Sequence, residues 1–530
     1  MEPRSALPGP GEDRTRVPGR DGCPPRPLAP RAPGRGDPRR LSPGRDPVLG
    51  GPRRGRRRRL PPAREPRLLR RDPSPGRRAA QLPWRSLEAL GDALAPAPPG
   101  AAPGRAHRGG LRRVSGLSPL DGIRVIDFGW VAVGPVLASL LADMGAEVIK
   151  VESSKRLDYC RLIPAPVLEG ERQAEAFASR AEIIDTVPLF HNYNRGKKSV
   201  TVDLRHPGAP ALLKRLVATA DVVVENFSPR VLREIGLDWE ALRTVKPDLV
   251  MISCSAAGQT GPWSDLKTFA PSLSSLAGLE SLVGYPGERV LGMLAFGYAD
   301  PSNAHHGALA VLAALWHRER TGQGQYIDMS QLEATVGLAG ESLMDYFMNG
   351  RVAGPEGSRH RSMAPHANYP CRGEDQWVAI AVEDDAAWVR LVEAIGGPAW
   401  AREERFATLA GRQAHLEELD RRLAEWTRER AAWEATERLQ QAGVAAFPVY
   451  GLEDEKGDPH FRARGLLAWP SHPRIGTMEV YAHPIKLSAT PGAVRGTAPA
   501  LGEHTDEVLG ELLGLSPEEL ARLRSGGVLA

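Results

Sequence analysis

Asp300 is the residue of this sequence best placed to do chemistry. It lies in Gly297-Tyr298-Ala299-Asp300-Pro301-Ser302-Asn303, ahead of the apolar run Ala308-Leu309-Ala310-Val311-Leu312-Ala313-Ala314-Leu315. The basic, glycine-rich Arg318-Glu319-Arg320-Thr321-Gly322-Gln323-Gly324-Gln325 closes that run. A carboxylate at the mouth of a helix has two readings. It is an N-cap that accepts a backbone N–H of the first turn, or it is a nucleophile held out by the helix with a strand (326–329) behind it. The local pattern alone favours the cap. Two other segments point toward an anionic ligand. Asn194-Arg195-Gly196-Lys197-Lys198 precedes a strand and Asn226-Phe227-Ser228-Pro229 follows one. At such positions basic groups and helix N-termini can hold phosphates, although Lys197 and Lys198 in isolation read as a solvated charge pair. There is no GxSxG elbow, Walker loop or HExxH, so Ser-His-Asp hydrolysis, Walker-type nucleotide hydrolysis and zinc-peptidase chemistry have no anchor. His305 and His306 read as local polar or packing residues of the helix start.

The elements that must position these groups follow from hydrophobic patterning. Ile123 to Phe128 reads as a buried strand, Gly129 to Pro135 as a loop, Val136 to Met144 as a helix and Glu147 to Glu152 as a second strand. The pattern recurs with strands at 199–204, 221–226 and 249–255 and helices at 207–219 and 229–235. Alternation of this kind predicts an α/β fold with a large doubly wound parallel sheet, Rossmann-like, with apolar strands buried on both faces. The Gly129–Pro135 loop is not GxGxxG, which argues against NAD or FAD. A nucleotide-containing ligand at the carboxyl ends of the strands remains open. Helices are expected at 307–316 and 330–348, then a Gly- and His-containing loop at 350–366. A strand at 377–382 and helices at 415–428 and 431–442 make a smaller α+β domain over 370–465. Residues 466–530 return to the large domain through an extended 484–491 and a helix at 505–513. The expected organisation is therefore a tail at 1–116, a large domain at 117–350, a linker and loop at 351–369, the small domain and the C-terminal return.

Charge is uneven along the 530 residues. Residues 1–113 hold 27 Arg, no Lys and 10 acidic residues, a net +17, whereas the whole chain is +5, leaving −12 for the remainder. The tail is rich in Pro, Gly and Arg and is expected to be disordered, because it cannot bury enough apolar surface to offset its chain entropy. An Arg-rich stretch at 53–59 can bind nucleic acid or an anionic surface by charge alone, yet the acidic body argues against a nucleic-acid enzyme. No 18-residue apolar run or signal-peptide leader is present, so neither a membrane span nor secretion is expected. Cys23, Cys160, Cys254 and Cys371 lack metal-ligand spacing and fit reduced thiols of a cytoplasmic protein, with no metal.

Taken together, these motifs resemble the family III CoA-transferases, the formyl-CoA transferase and carnitine CoA-transferase superfamily. The resemblance is carried by Leu120-Asp121-Gly122-Ile123-Arg124-Val125-Ile126-Asp127-Phe128, Gly145-Ala146-Glu147-Val148-Ile149-Lys150-Val151-Glu152, Asn194-Arg195-Gly196-Lys197-Lys198-Ser199, Asp221-Val222-Val223-Val224-Glu225-Asn226-Phe227, Gly258-Gln259-Thr260-Gly261-Pro262 and the Asp300 region. It spans about 410 residues and leaves out the tail. It implies that Asp300 attacks a donor thioester, forming a mixed anhydride and then an aspartyl-CoA thioester from which an acceptor acid takes the CoA. The helix N-terminus is expected to keep Asp300 ionised, and backbone N–H groups of a glycine-containing loop to stabilise the oxyanions. The resemblance further implies CoA contacts at Ala132, Val133, Asn194, Arg195, Gly196, Lys197, Asn226, Phe227, Ser228, Arg233, Lys267 and Phe269. The CoA thioester is a substrate, with no permanently bound cofactor. It also implies an interlocked homodimer, and some relatives pair two different subunits. Ala132 stands where formyl-CoA transferases have a glutamine, which sets oxalate and formate aside. The racemase branch keeps a histidine where this chain has Phe269; an α-methylacyl-CoA racemase-like enzyme and a non-catalytic CoA-binding partner subunit are the alternatives. Residues 362–380 look like the benzylsuccinate-type dicarboxylate CoA-transferases, and Arg359, His360 and Arg361 are candidates to pair a distal carboxylate.

Overall fold

The computed structural model describes residues 118–162, 184–293 and 297–530, which lie within one compact unit. The expected tail at 1–116 lies outside the described residues. A six-stranded, wholly parallel sheet forms the centre: β1 (Arg124–Asp127), β2 (Glu147–Glu152), β3 (Lys198–Thr201), β4 (Val222–Glu225), β5 (Val250–Ser255) and β6 (Gln325–Ser330). Its order is β3-β2-β1-β4-β5-β6, the doubly wound arrangement with a switch point between β1 and β4. Val222, Val223 and Val224 are all buried because helices cover both faces.

One side is closed by α1 (Val133–Asp143) and α4 (Ala299–Thr321), packed through Leu137, Leu141, Val311 and Ala314. Gly307 permits this approach. A β-carbon there would come within 2.3 Å of Leu137 Cδ1, so the two helices meet closely at that point. The other side is closed by α3 (Ala209–Val217) and by the chain's end, α9 (Thr505–Leu513) and α10 (Pro517–Ser525), whose Val508, Leu509, Leu520 and Val528 join the sheet core. The C-terminal return thus completes the layer over β3. A separate core surrounds an antiparallel sheet of β7 (His366–Pro370), β8 (Trp377–Ala381) and β9 (Ala445–Pro448), covered by α6 (Asp385–Ala394), α7 (Leu416–Arg428) and α8 (Ala432–Gln441). This is the α+β part that the sequence pattern indicated.

Several elements differ from expectation. α4 begins eight residues before 307, because Ala299 and Ala304 pack into the interior and extend the apolar face backward. The helix expected over 330–348 is interrupted by a tight turn at Gly337–Ala339 before α5 (Gly340–Asn349). Residues 484–491 form no regular strand. α2 (Pro188–Asn194), α6 and α10 were not legible as helices, nor β7 and β9 as strands.

Arg161 fastens the C-terminal return to the sheet. It is buried, and its five N–H donors go to Glu152 Oε1 and Oε2 (2.9 and 2.8 Å), Ile184 O (3.0 Å), Asp185 Oδ1 (2.8 Å) and Pro499 O (3.1 Å). Its guanidinium also stacks on Phe190, 3.6 Å from the ring centre. Burial works against the Glu152 charge, but Arg161 outweighs it and holds that carboxyl below its usual range. Arg161→Ala leaves two carboxylates buried and unpaired. It is expected to cost about 3–5 kcal/mol of stability in denaturant titrations.

Candidate active site

The loops at the switch point are built around buried charges. Lys150, in the middle of β2, donates to Gly129 O (2.6 Å) and pairs with Asp158 Oδ2 at 3.1 Å. Burial penalises its charge, but Asp158, Asp127 and Glu152 together hold it above the ordinary lysine range. Asp158 Oδ1 accepts the backbone N–H of both Val131 (3.2 Å) and Cys160 (3.0 Å), and the Cys160 thiol donates to Val131 O (3.0 Å). One carboxylate therefore joins the loop after β1 to the turn at Tyr159–Arg161. Val131 has φ +64°, a left-handed conformation that a β-branched residue adopts only when its surroundings impose it. Asn226, just after β4, clasps the same loop: its Oδ1 accepts Trp130 N–H (2.7 Å) and its Nδ2 donates to Trp130 O (2.8 Å).

Asp300 stands in the first turn of α4, with Tyr298 at the cap position and no side-chain cap bond at this end. The capping role is therefore not the one its carboxylate fills. The group is partly buried, and desolvation raises its pKa to about 6. That opposes the expected effect of the helix terminus, yet leaves it predominantly ionised at neutral pH. Its charge is felt by Cys160 and Tyr193. Burial and the Asp158 charge push the thiol up to about 12, with Lys150 opposing and Asp300 adding. The Tyr193 phenol is raised by burial, then by Cys160 and Asp300. No cation pairs with Asp300 among the described residues. His305 and His306 bond to carbonyls four residues back, Pro301 O and Ser302 O, and stay exposed.

The remaining candidates divide by burial. Lys197 is buried and all three of its donors are taken, by Asp127 Oδ2 (2.7 Å), Pro135 O (2.8 Å) and Asn194 Oδ1 (2.9 Å). Burial pulls it down to about 8 against the Asp127 charge. Arg195 binds Asp143 (2.6 Å) and Asn192 O (2.6 Å), and Gly196 turns the chain with φ +70°. Ala132 and Val133 are buried at the start of α1. In this structure these residues shape the walls from beneath. Phe227 packs edge-on against Trp130. Ser228, Arg233, Lys267 and Phe269 face solvent, with Arg233 beside Asp238 at 3.4 Å. Lys267 and Phe269 precede a short helix (Ala270–Leu276) whose Ala270 and Leu273 pack on Ala299, next to Asp300. Arg359 pairs with Asp420, and Arg361 with Asp345 and Glu356, so neither guanidinium is without an acid. The described cysteines 160, 254 and 371 are free thiols, and no group of potential metal ligands occurs among the described residues.

Sequence reasoning missed Val131, Asp158, Cys160 and Tyr193. One signal was available: a lysine inside Val148-Ile149-Lys150-Val151, where a doubly covered strand should be apolar.

Comparison with known proteins agrees with this architecture. The family model for CoA-transferase family III matches residues 120–505. The chain belongs to that family. A succinyl-CoA–D-citramalate CoA-transferase of Chloroflexus aurantiacus is 36% identical over 411 residues, covering 78% of this chain and 98% of the relative. The β subunit of a succinyl-CoA–L-malate CoA-transferase from that organism is 34% identical, covering 78% of this chain and 98% of the relative. A succinate–glutarate CoA-transferase of Agrobacterium fabrum is 34% identical, covering 74% and 96%. Among solved structures, a CAIB/BAIF family protein from Brucella suis superposes with a TM-score of 0.66 at 31% identity, covering 75% of this chain and all of that one. Family III enzymes act on CoA thioesters, and this chain is a CoA-transferase of that family. Among the described residues no helix is long and apolar enough to cross a membrane.

A second depression in this transferase, of about 240 Å³, opens over β4–β6 and is lined by Glu225, Ser228, Arg233, Ser253, Tyr326 and Asp328. Glu225, Ser253 and Asp328 are register partners across three strands. Burial, aided by Asp328, raises Glu225 to about 7 despite hydrogen bonds from Ser253 and Phe227 N–H. A carboxyl raised this way favours folding while protonated, and that contribution is lost as pH climbs from its unfolded value through about 7. Glu225→Gln should therefore raise the melting temperature at pH 8 and change it little at pH 5, as thermal unfolding at the two pH values will show.

Proposed function

We propose that this protein moves CoA from succinyl-CoA to a dicarboxylic acid acceptor, with Asp300 as the nucleophile. The observation that carries this reading is a desolvated, cation-free carboxylate at the start of α4, at about 6, walled by neutral donors. A carboxylate freed of solvent and of counter-ions is a stronger nucleophile and is still ionised at pH 7. Its oxygen attacks the thioester carbonyl. The C–S bond breaks and CoA thiolate leaves a mixed anhydride. The thiolate then attacks the Asp300 carboxyl carbon, releasing the donor acid and leaving an aspartyl-CoA thioester. An acceptor carboxylate attacks that thioester, and the returning thiolate takes the acceptor acyl group and frees Asp300. No proton is gained or lost overall.

The exposed Lys267, Ser228, Arg233 and Phe269 are the groups offered to CoA itself. Lys267 has no acidic partner among the described residues and suits a phosphate. Ala132, Val133, Asn194, Arg195, Gly196, Lys197 and Asn226 act by holding the loops whose backbone faces it. The choice of acids is supported by the citramalate, malate and glutarate transferases among the relatives.

The working unit is a dimer, formed by two copies or by this chain with a paralogous subunit. α4 exposes Leu309, Leu312 and Trp316, and α5 exposes Leu343, Met344, Phe347 and Met348, with Leu309 at 68% and Phe347 at 74% exposure. Apolar faces of that extent mark interaction surfaces. Sedimentation equilibrium of the purified chain should give twice the chain mass; a monomer at micromolar concentration removes the two-copy form of this reading.

Intact-protein mass spectrometry tests the chemistry. Mixing with succinyl-CoA and quenching with hydroxylamine should modify Asp300 in the wild type and leave Asp300→Ala unmodified, with turnover lowered about a thousandfold or more. The kcat/KM profile should fall below about pH 6 as Asp300 is protonated. No adduct with any acyl-CoA, together with solvent-deuterium exchange at the α-carbon of a branched acyl-CoA, would instead favour the racemase branch.

A further inference from the structure

Each carbonyl attacked by Asp300 in the proposed reaction becomes an oxyanion, and the inference that follows rests on that reading. The wall beside Asp300 holds few groups able to donate to such an oxygen. The side chains of Ala132 and Val133 are apolar. The Cys160 thiol proton is committed to Val131 O, and the side chains of Asn194, Arg195, Lys197 and Asn226 are each bonded within the protein. Tyr193 is different. It ends α2, its ring packs with Val131, Val187 and Phe190 in the cluster that includes Cys160, and its carbonyl accepts from Ser139 Oγ at 2.7 Å, which fixes α2 against α1. Its hydroxyl makes no hydrogen bond among the described residues. The phenol is half-buried, close enough to Asp300 to feel its charge, and raised above its ordinary value, so it keeps its proton at any pH at which the enzyme works.

The geometry points to Tyr193 as a catalytic residue whose O–H donates a hydrogen bond to the substrate oxygen that becomes the oxyanion when Asp300 attacks. No proton is transferred. The Asp300 oxygen–carbon bond forms, the C–S electron pair returns to sulfur, and the phenol stabilises the charge that appears on the carbonyl oxygen between those events. A donor placed at a developing oxyanion acts on the chemical step far more than on substrate binding.

Tyr193→Phe removes the donor and keeps the packing. With succinyl-CoA as probe, kcat and the quenched-flow rate of Asp300 modification should both fall about a hundredfold, while KM and the melting temperature stay at wild-type values. Replacing Tyr193 by 3-fluorotyrosine, a more acidic and stronger donor, should raise the modification rate. Wild-type kcat in Tyr193→Phe, a loss confined to KM, or an unchanged or lowered rate with 3-fluorotyrosine overturns the assignment. Failure of the wild type to modify Asp300 overturns the transferase mechanism and this assignment together. Normal modification of the wild type with no effect of Tyr193→Phe overturns only the latter.

Discussion

Everything around Asp300 depends on a cation buried in the middle of a parallel sheet. Lys150 points from β2 beneath the switch point, where it meets Asp158 and the carbonyl of Gly129, while Asp127 at the end of β1 is matched by Lys197 from the start of the next crossover. Four charges in a dry interior are costly, and such pairs give little net stability against apolar replacements of similar volume. What they provide is position. Asp158 also takes the N–H of Val131 and of Cys160, so the strained turn at Val131 and the turn carrying Cys160 are set by one carboxylate. An apolar core would leave those backbone groups unsatisfied and the two loops independent of each other.

The second constraint is the contact of α4 with α1. Asp300 is in the first turn of a 23-residue helix, so its place is decided by how that helix lies on the sheet. Gly307 lets α4 approach Leu137 of α1, and α1 begins with the loop that Asn226 clasps. The nucleophile and the wall opposite it are therefore parts of one packed pair of helices. Burial at this junction raises Asp300 to about 6. It also keeps the neighbouring thiol and phenol protonated, so the site combines one anion with neutral donors. That is the electrostatic condition acyl transfer to a carboxylate requires.

The central sheet was legible because a strand buried on both faces must be apolar throughout, and such runs separated by helix-length segments admit few arrangements. Val222-Val223-Val224 and Val148-Ile149 announce themselves in this way. The antiparallel β7 and β9 were not legible. His366-Ala367-Asn368-Tyr369-Pro370 alternates weakly, and its pairing with Trp377–Ala381 depends on residues far along the chain. Lys197 was read as a surface charge beside Lys198. Its neighbour is indeed surface-exposed in part and shared between Glu147 and Glu507, whereas Lys197 points inward to Asp127. Adjacent residues at a strand entrance face opposite ways, and composition does not say which one turns in. In the same manner the basic loop at 359–361 carried unassigned charge in the sequence, and the fold gave each arginine an acidic partner.

By itself, the sequence determined the parallel sheet, the helix that carries Asp300, the family and the kind of chemistry a carboxylate there can perform. Those properties live in local patterning and in motifs that are contiguous along the chain. Only the tertiary structure decided that Asp300 is desolvated and free of cations, that Lys197 is consumed inside the fold, and that Cys160 and Tyr193 stand beside the nucleophile from more than a hundred residues away. Burial, pairing and proximity are sums over all the atoms that converge on a point. No stretch of sequence holds those atoms until the sheet, α1, α2 and α4 have packed.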